Sequence, residues 1–316
     1  MAIELARART LPKPWGVVDL RPWSNARYDG GAIGEIWYER SGQAATVPSL
    51  LLKLIFTNRP LSIQVHPDDT FARSMGLPNG KTEAWYVLSA APKAKIALGL
   101  HRRMTPQEIR KSVDNGSIFD LVEWRGVTAN DVIFVPAGTI HAIGAGIVLA
   151  EIQQRGDVTF RLFDHGRKRE LHVENAIAVA NAGPADSRVQ PSRLTNERTL
   201  LATSPHFVFE RIDLEPNSAW SLDGTRETWL LVISGNVHAG PFDIGKGDAI
   251  FAQSDCVDMR VGKTGMVGLV AYTGGRPVLD LLQRVRQPST MDERQSSQLH
   301  SFEEVETLKT AWKQHP

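Results

Sequence analysis

The sequence predicts a mainly β protein built as two barrels in tandem, with a few short helices. Short apolar runs recur between Gly, Pro, Asn and Asp along most of the 316 residues, the pattern of many short strands joined by turns. Strands this numerous point to a sandwich or barrel rather than a parallel α/β sheet. A faint internal repeat suggests duplication: Glu83-Ala84-Trp85 and Glu227-Thr228-Trp229 each open an apolar run, and Asp131-Val132-Ile133-Phe134-Val135 resembles Asp248-Ala249-Ile250-Phe251-Ala252.

In chain order, strands are expected at Ser49–Phe56, Leu61–Val65, Ala84–Leu88, Lys95–Leu98, Val132–Val135, Ile147–Gln153 and Val158–Phe163. Further strands follow at Phe207–Leu214, Thr228–Ile233, Ala249–Phe251 and Met266–Tyr272. Three helices interrupt them. Thr105-Pro106-Gln107-Glu108 is a capping box with Pro at the first helical position, and that helix is expected to run to about Gly116. A second spans roughly His172 to Ala182, and a third opens at the capping box Ser301-Phe302-Glu303-Glu304. The stretch Gly183–Asn196 is rich in Pro, Ser, Asn and charge and lacks apolar periodicity, so it reads as a linker. The expected divisions are a first barrel over 1–182, a linker over 183–199, a second barrel over 200–285 and a tail over 286–316.

Composition narrows the function. Apolar residues make up 42% and charged residues 22%, enough for a real core in an ordinary soluble protein. With 36 basic against 35 acidic residues and no block of like charge, nothing supports a nucleic-acid or anionic-membrane role. An anionic substrate would have to be met by a few local Arg and Lys side chains. A single cysteine, Cys256, excludes an internal disulfide. The first residues carry charge where a signal peptide needs an apolar core, and no apolar run approaches the ~20 residues of a membrane span. A soluble, cytoplasmic protein is the plain expectation.

Three segments carry candidate chemistry. In Gln64-Val65-His66-Pro67-Asp68-Asp69, Gln64 and His66 lie two apart on extended chain and share a face. The same residues also make a good surface turn. In Lys81-Thr82-Glu83-Ala84-Trp85, Lys81 and Glu83 share a face with Trp85, which is costly unless the charges are paired, bound to metal or at an exposed strand end. In Asn130-Asp131-Val132-Ile133-Phe134-Val135-Pro136-Ala137-Gly138-Thr139-Ile140-His141, an apolar strand runs into a Pro/Gly turn that presents a histidine. Together, two imidazoles, one carboxylate and one amide oxygen form a mixed nitrogen/oxygen set suited to zinc and similar divalent ions.

In this order the segments resemble the two cupin motifs, with Gln64 in place of the first His, an insertion before Glu83, and Asn130 in place of the first Gly. More narrowly, Ile63–Asp69, Gly80–Tyr86 and Val135–Ala142 resemble the signatures of type I mannose-6-phosphate isomerases in their short bacterial form. So do Leu149–Gln154, Asp157–Asp164 and Lys13-Pro14-Trp15-Gly16. The resemblance is strong over about residues 10 to 180 and holds only in outline beyond.

The resemblance implies two cupin-like jelly-roll barrels and a zinc enzyme of carbohydrate metabolism that interconverts mannose 6-phosphate and fructose 6-phosphate through an enediol-type intermediate. The metal ligands are then Gln64, His66, Glu83 and His141. Arg161 matches the active-site arginine, either stabilising negative charge or binding phosphate; its structural alternative is a pair with Asp157 or Asp164. Lys81 and Glu151 are acid/base or substrate-contacting candidates, and which of them transfers the proton stays open. Asp68 and Asp69 read as turn residues or as groups that orient His66. The expected partner is a small sugar phosphate, with self-association undetermined. Two other readings remain: an isomerase of another, unphosphorylated aldose, and a non-catalytic sugar-binding cupin. His101, His165, His172, His206, His238, His300 and His315 lack partners at ligand spacing. In the second barrel Glu227 persists, but Gln253, Asp255 and Asp258 stand where the first has Pro136, Gly138 and His141, so a structural barrel that packs against the first and helps shape the cleft is expected.

Overall fold

The computed structural model describes residues 3–26, 31–42, 47–185 and 189–285. The helix expected at Ser301 lies outside them. Three antiparallel sheets account for the described strands. A six-stranded sheet runs in the order Arg7–Val17, Ile33–Glu39, Leu50–Thr57, Ile147–Gln154, Glu83–Ala90, Val132–Val135. A five-stranded sheet runs Phe160–Phe163, Ile63–Val65, His141–Ile143, Lys95–Leu100, Val122–Gly126. The C-terminal half forms a ten-stranded sheet, and the N-terminal strand Ile3–Leu5 joins it at the edge, pairing with Ala249–Ala252.

The sheets are stacked, and each interlayer is a core. Ile55, Trp85 and Leu149 of the six-stranded sheet meet Ile96, Leu98 and Ile143 of the five-stranded one. The other face of the five-stranded sheet is covered by helices, through Ile109, Val113, Ile118 and Ala176. The other face of the six-stranded sheet packs Leu52, Leu54, Phe56 and Tyr86 against Phe207, Phe209, Trp229 and Phe251 of the C-terminal half. Because both its faces are covered, Leu50–Thr57 is buried at every position, and apart from Lys53 it reads as a continuous apolar run up to Phe56 rather than an alternating one.

A separate core of aliphatic residues with Trp220 and Tyr272 fills the C-terminal half. The halves share one apolar layer, and Tyr38 crosses it to donate its hydroxyl to the Gly247 carbonyl at 2.6 Å.

The helix at Pro106–Asp114 carries the full capping box: Glu108 N donates to Thr105 Oγ1 and Thr105 N to Glu108 Oε2. The next expected helix forms at Val173–Val179, after His172, and stops at Ala180 because Asn181 turns away to bridge Thr139. Two short helices, Asp69–Ser74 and Ile118–Leu121, are too brief to show periodicity in sequence. Within the expected linker, Ser192–Arg193 pairs with Arg198–Thr203. No described helix is long and apolar enough to cross a membrane.

Candidate metal centre

Sheet register assembles the site. His141 is the direct partner of Gln64, and Gln64 is the partner of Arg161, so three neighbouring strands of the five-stranded sheet present one cluster. Facing it, the six-stranded sheet aligns Glu83 with Gln153 and Glu151 with both Lys53 and Trp85. Alternation then sends Lys53, Glu83 and Glu151 inward, on the same side as Ile55, Trp85 and Leu149.

His66, Glu83 and His141 converge, with candidate ligand atoms all within 4.8 Å of one another. His66 Nε2 lies 3.5 Å from Glu83 Oε2, and His141 Nε2 lies 3.5 Å from Glu83 Oε1. All three residues are 1% exposed. Each imidazole is held from behind: His66 Nδ1 sits 2.8 Å from the Val158 carbonyl and His141 Nδ1 2.8 Å from the Thr139 carbonyl. A carbonyl only accepts, so each Nδ1 carries the hydrogen and each Nε2 presents a lone pair to the centre. Burial, then the Lys81 charge, holds His66 well below the usual imidazole range; burial is also the main cause that brings His141 down to about 4. Both rings are therefore neutral near pH 7.

The donor set fits a divalent cation. His66 Nε2 is buried without a hydrogen-bond partner, and Glu83 Oε2, with only the Lys81 ammonium beside it, points at the same space. Such atoms are costly to bury unless something fills the gap between them. Gln64 completes the set. Its amide nitrogen is placed 3.3 Å from His141 Nε2 while Oε1 accepts from Ser62 Oγ at 2.8 Å. Reversing the amide turns Oε1 to the centre and leaves Ser62 paired, because a hydroxyl both donates and accepts.

Gln64 and Glu83 carry the centre into the floor of a cleft between the two sheets. Lys81 Nζ lies 3.2 Å from Glu83 Oε2. Burial opposes the Lys81 charge, but Glu83 and Glu151 outweigh it and raise its pKa. Glu151 accepts from Trp85 Nε1 at 3.0 Å and ion-pairs with Lys53 at 3.3 Å; burial, then the Glu83 charge, pushes its carboxyl upward. Arg161 also lines the cleft. It takes neither expected structural pair. Asp164 is bound by Arg167 and Arg169, Asp157 ion-pairs with Lys53, and Arg161 Nε is buried without a partner. Its backbone is fixed by His172, whose N donates to the Arg161 carbonyl at 2.8 Å.

All the expected site residues thus meet in one cleft or at its floor. Asp68 and Asp69 do not orient His66. Asp68 instead caps the Asp69–Ser74 helix through Phe71 N, and Asp69 accepts from Gly80 N at 2.8 Å. Among the described residues, those that line the cleft all fall between Lys13 and Arg169, so the described part of the C-terminal half does not shape it. In that half Glu227 holds backbone instead, its two oxygens accepting from Ser49 N at 2.6 Å and Leu50 N at 2.7 Å.

No protein-family model matches the chain. It is 38% identical over 199 residues to a mannose-6-phosphate isomerase of Streptococcus mutans serotype c, and 35% over 166 residues to mannose-6-phosphate isomerase ManA of Bacillus subtilis. Those matches cover 58% and 49% of this chain, and 61% and 52% of the relatives, so the chain spans only about half to three fifths of their length. Among solved structures, the mannose 6-phosphate isomerase of Bacillus subtilis superposes with a TM-score of 0.74 at 22% identity, covering 86% of this chain and 100% of that one. A variant of the Salmonella typhimurium phosphomannose isomerase gives 0.69 at 13% identity over 87% and 100%. The chain resembles the mannose-6-phosphate isomerases. Its fold, mainly β with a few short helices, is that of the solved phosphomannose isomerases.

Set beside that phosphomannose isomerase fold, sequence reasoning missed Lys53, Asp157 and Arg169 in the cleft. Lys53 did leave a signal. It is the lone charge in Leu50-Leu51-Leu52-Lys53-Leu54-Ile55-Phe56, and a charge in a buried strand needs a partner. Arg169 left none, since its place follows from the loop after Phe163. It stacks over the Trp15 ring, 5.0 Å from the centroid.

Proposed function

We propose that this chain is a metal-dependent aldose–ketose isomerase that interconverts mannose 6-phosphate and fructose 6-phosphate. The observation that carries this reading is the convergence of two locked, lone-pair-bearing imidazoles and Glu83 at the floor of a cleft lined by Lys53, Lys81, Glu151 and Arg161. The names and fold of its relatives point the same way.

In this reading Gln64, His66, Glu83 and His141 hold a zinc ion, whose Lewis acidity polarises sugar carbonyl and hydroxyl oxygens. The reaction moves one proton between C1 and C2. Glu151, with its carboxyl pushed upward by burial, suits a group that takes and returns that proton. Lys81, kept charged, donates to a substrate oxygen. Arg161 and Arg169 present guanidinium forks to the phosphate. Trp15 and Trp85 supply apolar walls that limit water.

The metal-bearing part is assigned to residues 1–182. The barrel over 200–285, joined by the 183–199 linker, is assigned a structural role, because its buried Arg198 and Glu210 are paired with each other and its Glu227 is spent on backbone amides. A place in cytoplasmic carbohydrate metabolism accords with a single cysteine and a balanced charge.

The test is formation of fructose 6-phosphate from mannose 6-phosphate by the full chain, before chelation, after it, and with zinc restored. Activity that disappears with the chelator and returns with zinc is expected. Folded, zinc-loaded protein without turnover would reject the substrate and direct attention to unphosphorylated aldoses.

A further inference from the structure

Lys81 reaches the cleft from a loop just ahead of the Glu83–Ala90 strand, and loops are ordinarily less rigid carriers of a functional group than strands. Here three consecutive backbone amides are bound. Gly80 N donates to Asp69 Oδ1 at 2.8 Å, Lys81 N to the Pro67 carbonyl at 3.0 Å, and Thr82 N to Gln154 Oε1 at 2.9 Å. Gln154 Nε2 donates to the same Asp69 Oδ1 at 2.8 Å, so the carboxylate and the amide close a circuit on both sides of Lys81.

Close backbone packing completes the grip. A Cβ at Gly80 would stand 2.4 Å from the Asp68 carbonyl carbon, and one at Gly156 would stand 2.7 Å from the Gly80 oxygen. Only glycine permits these approaches. Neither Asp69 nor Gln154 lines the cleft, so neither touches what binds there. Gln154 is 5% exposed, a buried amide whose oxygen accepts from this loop and whose nitrogen donates to Asp69, the loop's other holder.

We propose that Asp69 and Gln154 are positioning residues for Lys81, fixing its backbone so that the ammonium stands beside Glu83 over the floor of the cleft. The proposal deepens the isomerase reading and rests on it for the role of Lys81 in turnover. The link is geometric: a displacement of about 1 Å at a functional group can cost on the order of 100-fold in rate.

The test uses the full, zinc-loaded chain with Asp69→Ala, Gln154→Leu and the conservative Asp69→Asn, which keeps the acceptor oxygen. Brief acetylation followed by mass spectrometry reads how readily Lys81 is modified relative to Lys53, another buried lysine of the cleft. In Asp69→Ala and Gln154→Leu, Lys81 labelling is expected to rise about tenfold over Lys53 through local opening of the loop, and Asp69→Asn to stay within about twofold of the parent. The same two variants are expected to lose about 10- to 100-fold in kcat, with KM and bound zinc held. Unchanged Lys81 labelling, or Lys81 and Lys53 rising together, would overturn the positioning role. Selective exposure of Lys81 with undiminished turnover would uphold the positioning and reject the catalytic reading of Lys81.

Discussion

Lys53 and Glu151 stand directly opposite each other on paired strands, with Nζ 3.3 Å from Oε1 and each residue only 2% exposed. This buried pair ties the wall of the cleft to the core of the six-stranded sheet. Removing one partner strands the other: Lys53→Met is expected to cost about 3–5 kcal/mol, reduced to the extent that Glu151 takes up a proton. Adding Glu151→Gln to that variant neutralises the stranded charge and recovers part of the loss. Urea denaturation at pH 7 reads both; a Lys53→Met protein as stable as the parent would show that the pair contributes nothing to stability.

Metal binding should register as stability. A ligand that binds only the folded chain stabilises it by about 2.7 kcal/mol at 100 times its Kd. Zinc is therefore expected to raise the thermal midpoint of chelator-treated protein in a concentration-dependent way. His66→Ala and His141→Ala should abolish that rise, and Gln64→Ala should weaken it less. A zinc response retained in His66→Ala would place the ion elsewhere.

The Asp164 bracket gives a pH signature. Burial pushes this carboxyl upward, but the hydrogen bonds from Arg169 and Arg167 outweigh it and lower its pKa from 3.8. With the folded value below the unfolded one, its stabilisation is present above the unfolded value and is lost as pH falls through the folded one. The stability gap between the parent and Asp164→Asn is thus expected to be largest at neutral pH and to close below about pH 4. Urea melts of both proteins at pH 7, 4 and 3 measure it. A gap that widens in acid would contradict the sign.

Glu227 binds the halves together through the Ser49 and Leu50 amides. Glu227→Ala leaves the buried Leu50 amide unsatisfied, while the exposed Ser49 amide can turn to water, an expected loss of about 1–3 kcal/mol. Zinc affinity should not change, because Glu227 lies outside the cleft lining. Thermal unfolding and zinc titration on one preparation separate the two effects. A shifted zinc affinity would show that the bracket reaches the metal centre.

Much of the fold was legible because strand alternation and turn chemistry are local. The runs at Val132–Val135 and Phe207–Leu214 form strands with the expected bounds, and the Thr105 capping box opens its helix at Pro106. The Asp69–Ser74 helix was not legible, since six residues carry no period and Asp68 suits a turn as well as a cap. Of the candidate site, Gln64, His66, Lys81, Glu83 and His141 stood out by residue type and spacing, and Glu151 and Arg161 only through the family resemblance; the fold brings all seven together. Lys53, Asp157 and Arg169 were not, because each faces the cleft only once two sheets and a loop are assembled.

By itself, the sequence determined the β-rich class and nominated the four candidate ligands, since residue type and spacing suffice for these. Only the tertiary structure decided which groups share a cavity. Distances between side chains far apart in the chain depend on sheet pairing and on how the layers stack. That stacking gave the two aspartates after His66 a helix and a loop to hold rather than a histidine, and it turned Glu227 from a remnant ligand into the bracket between the halves.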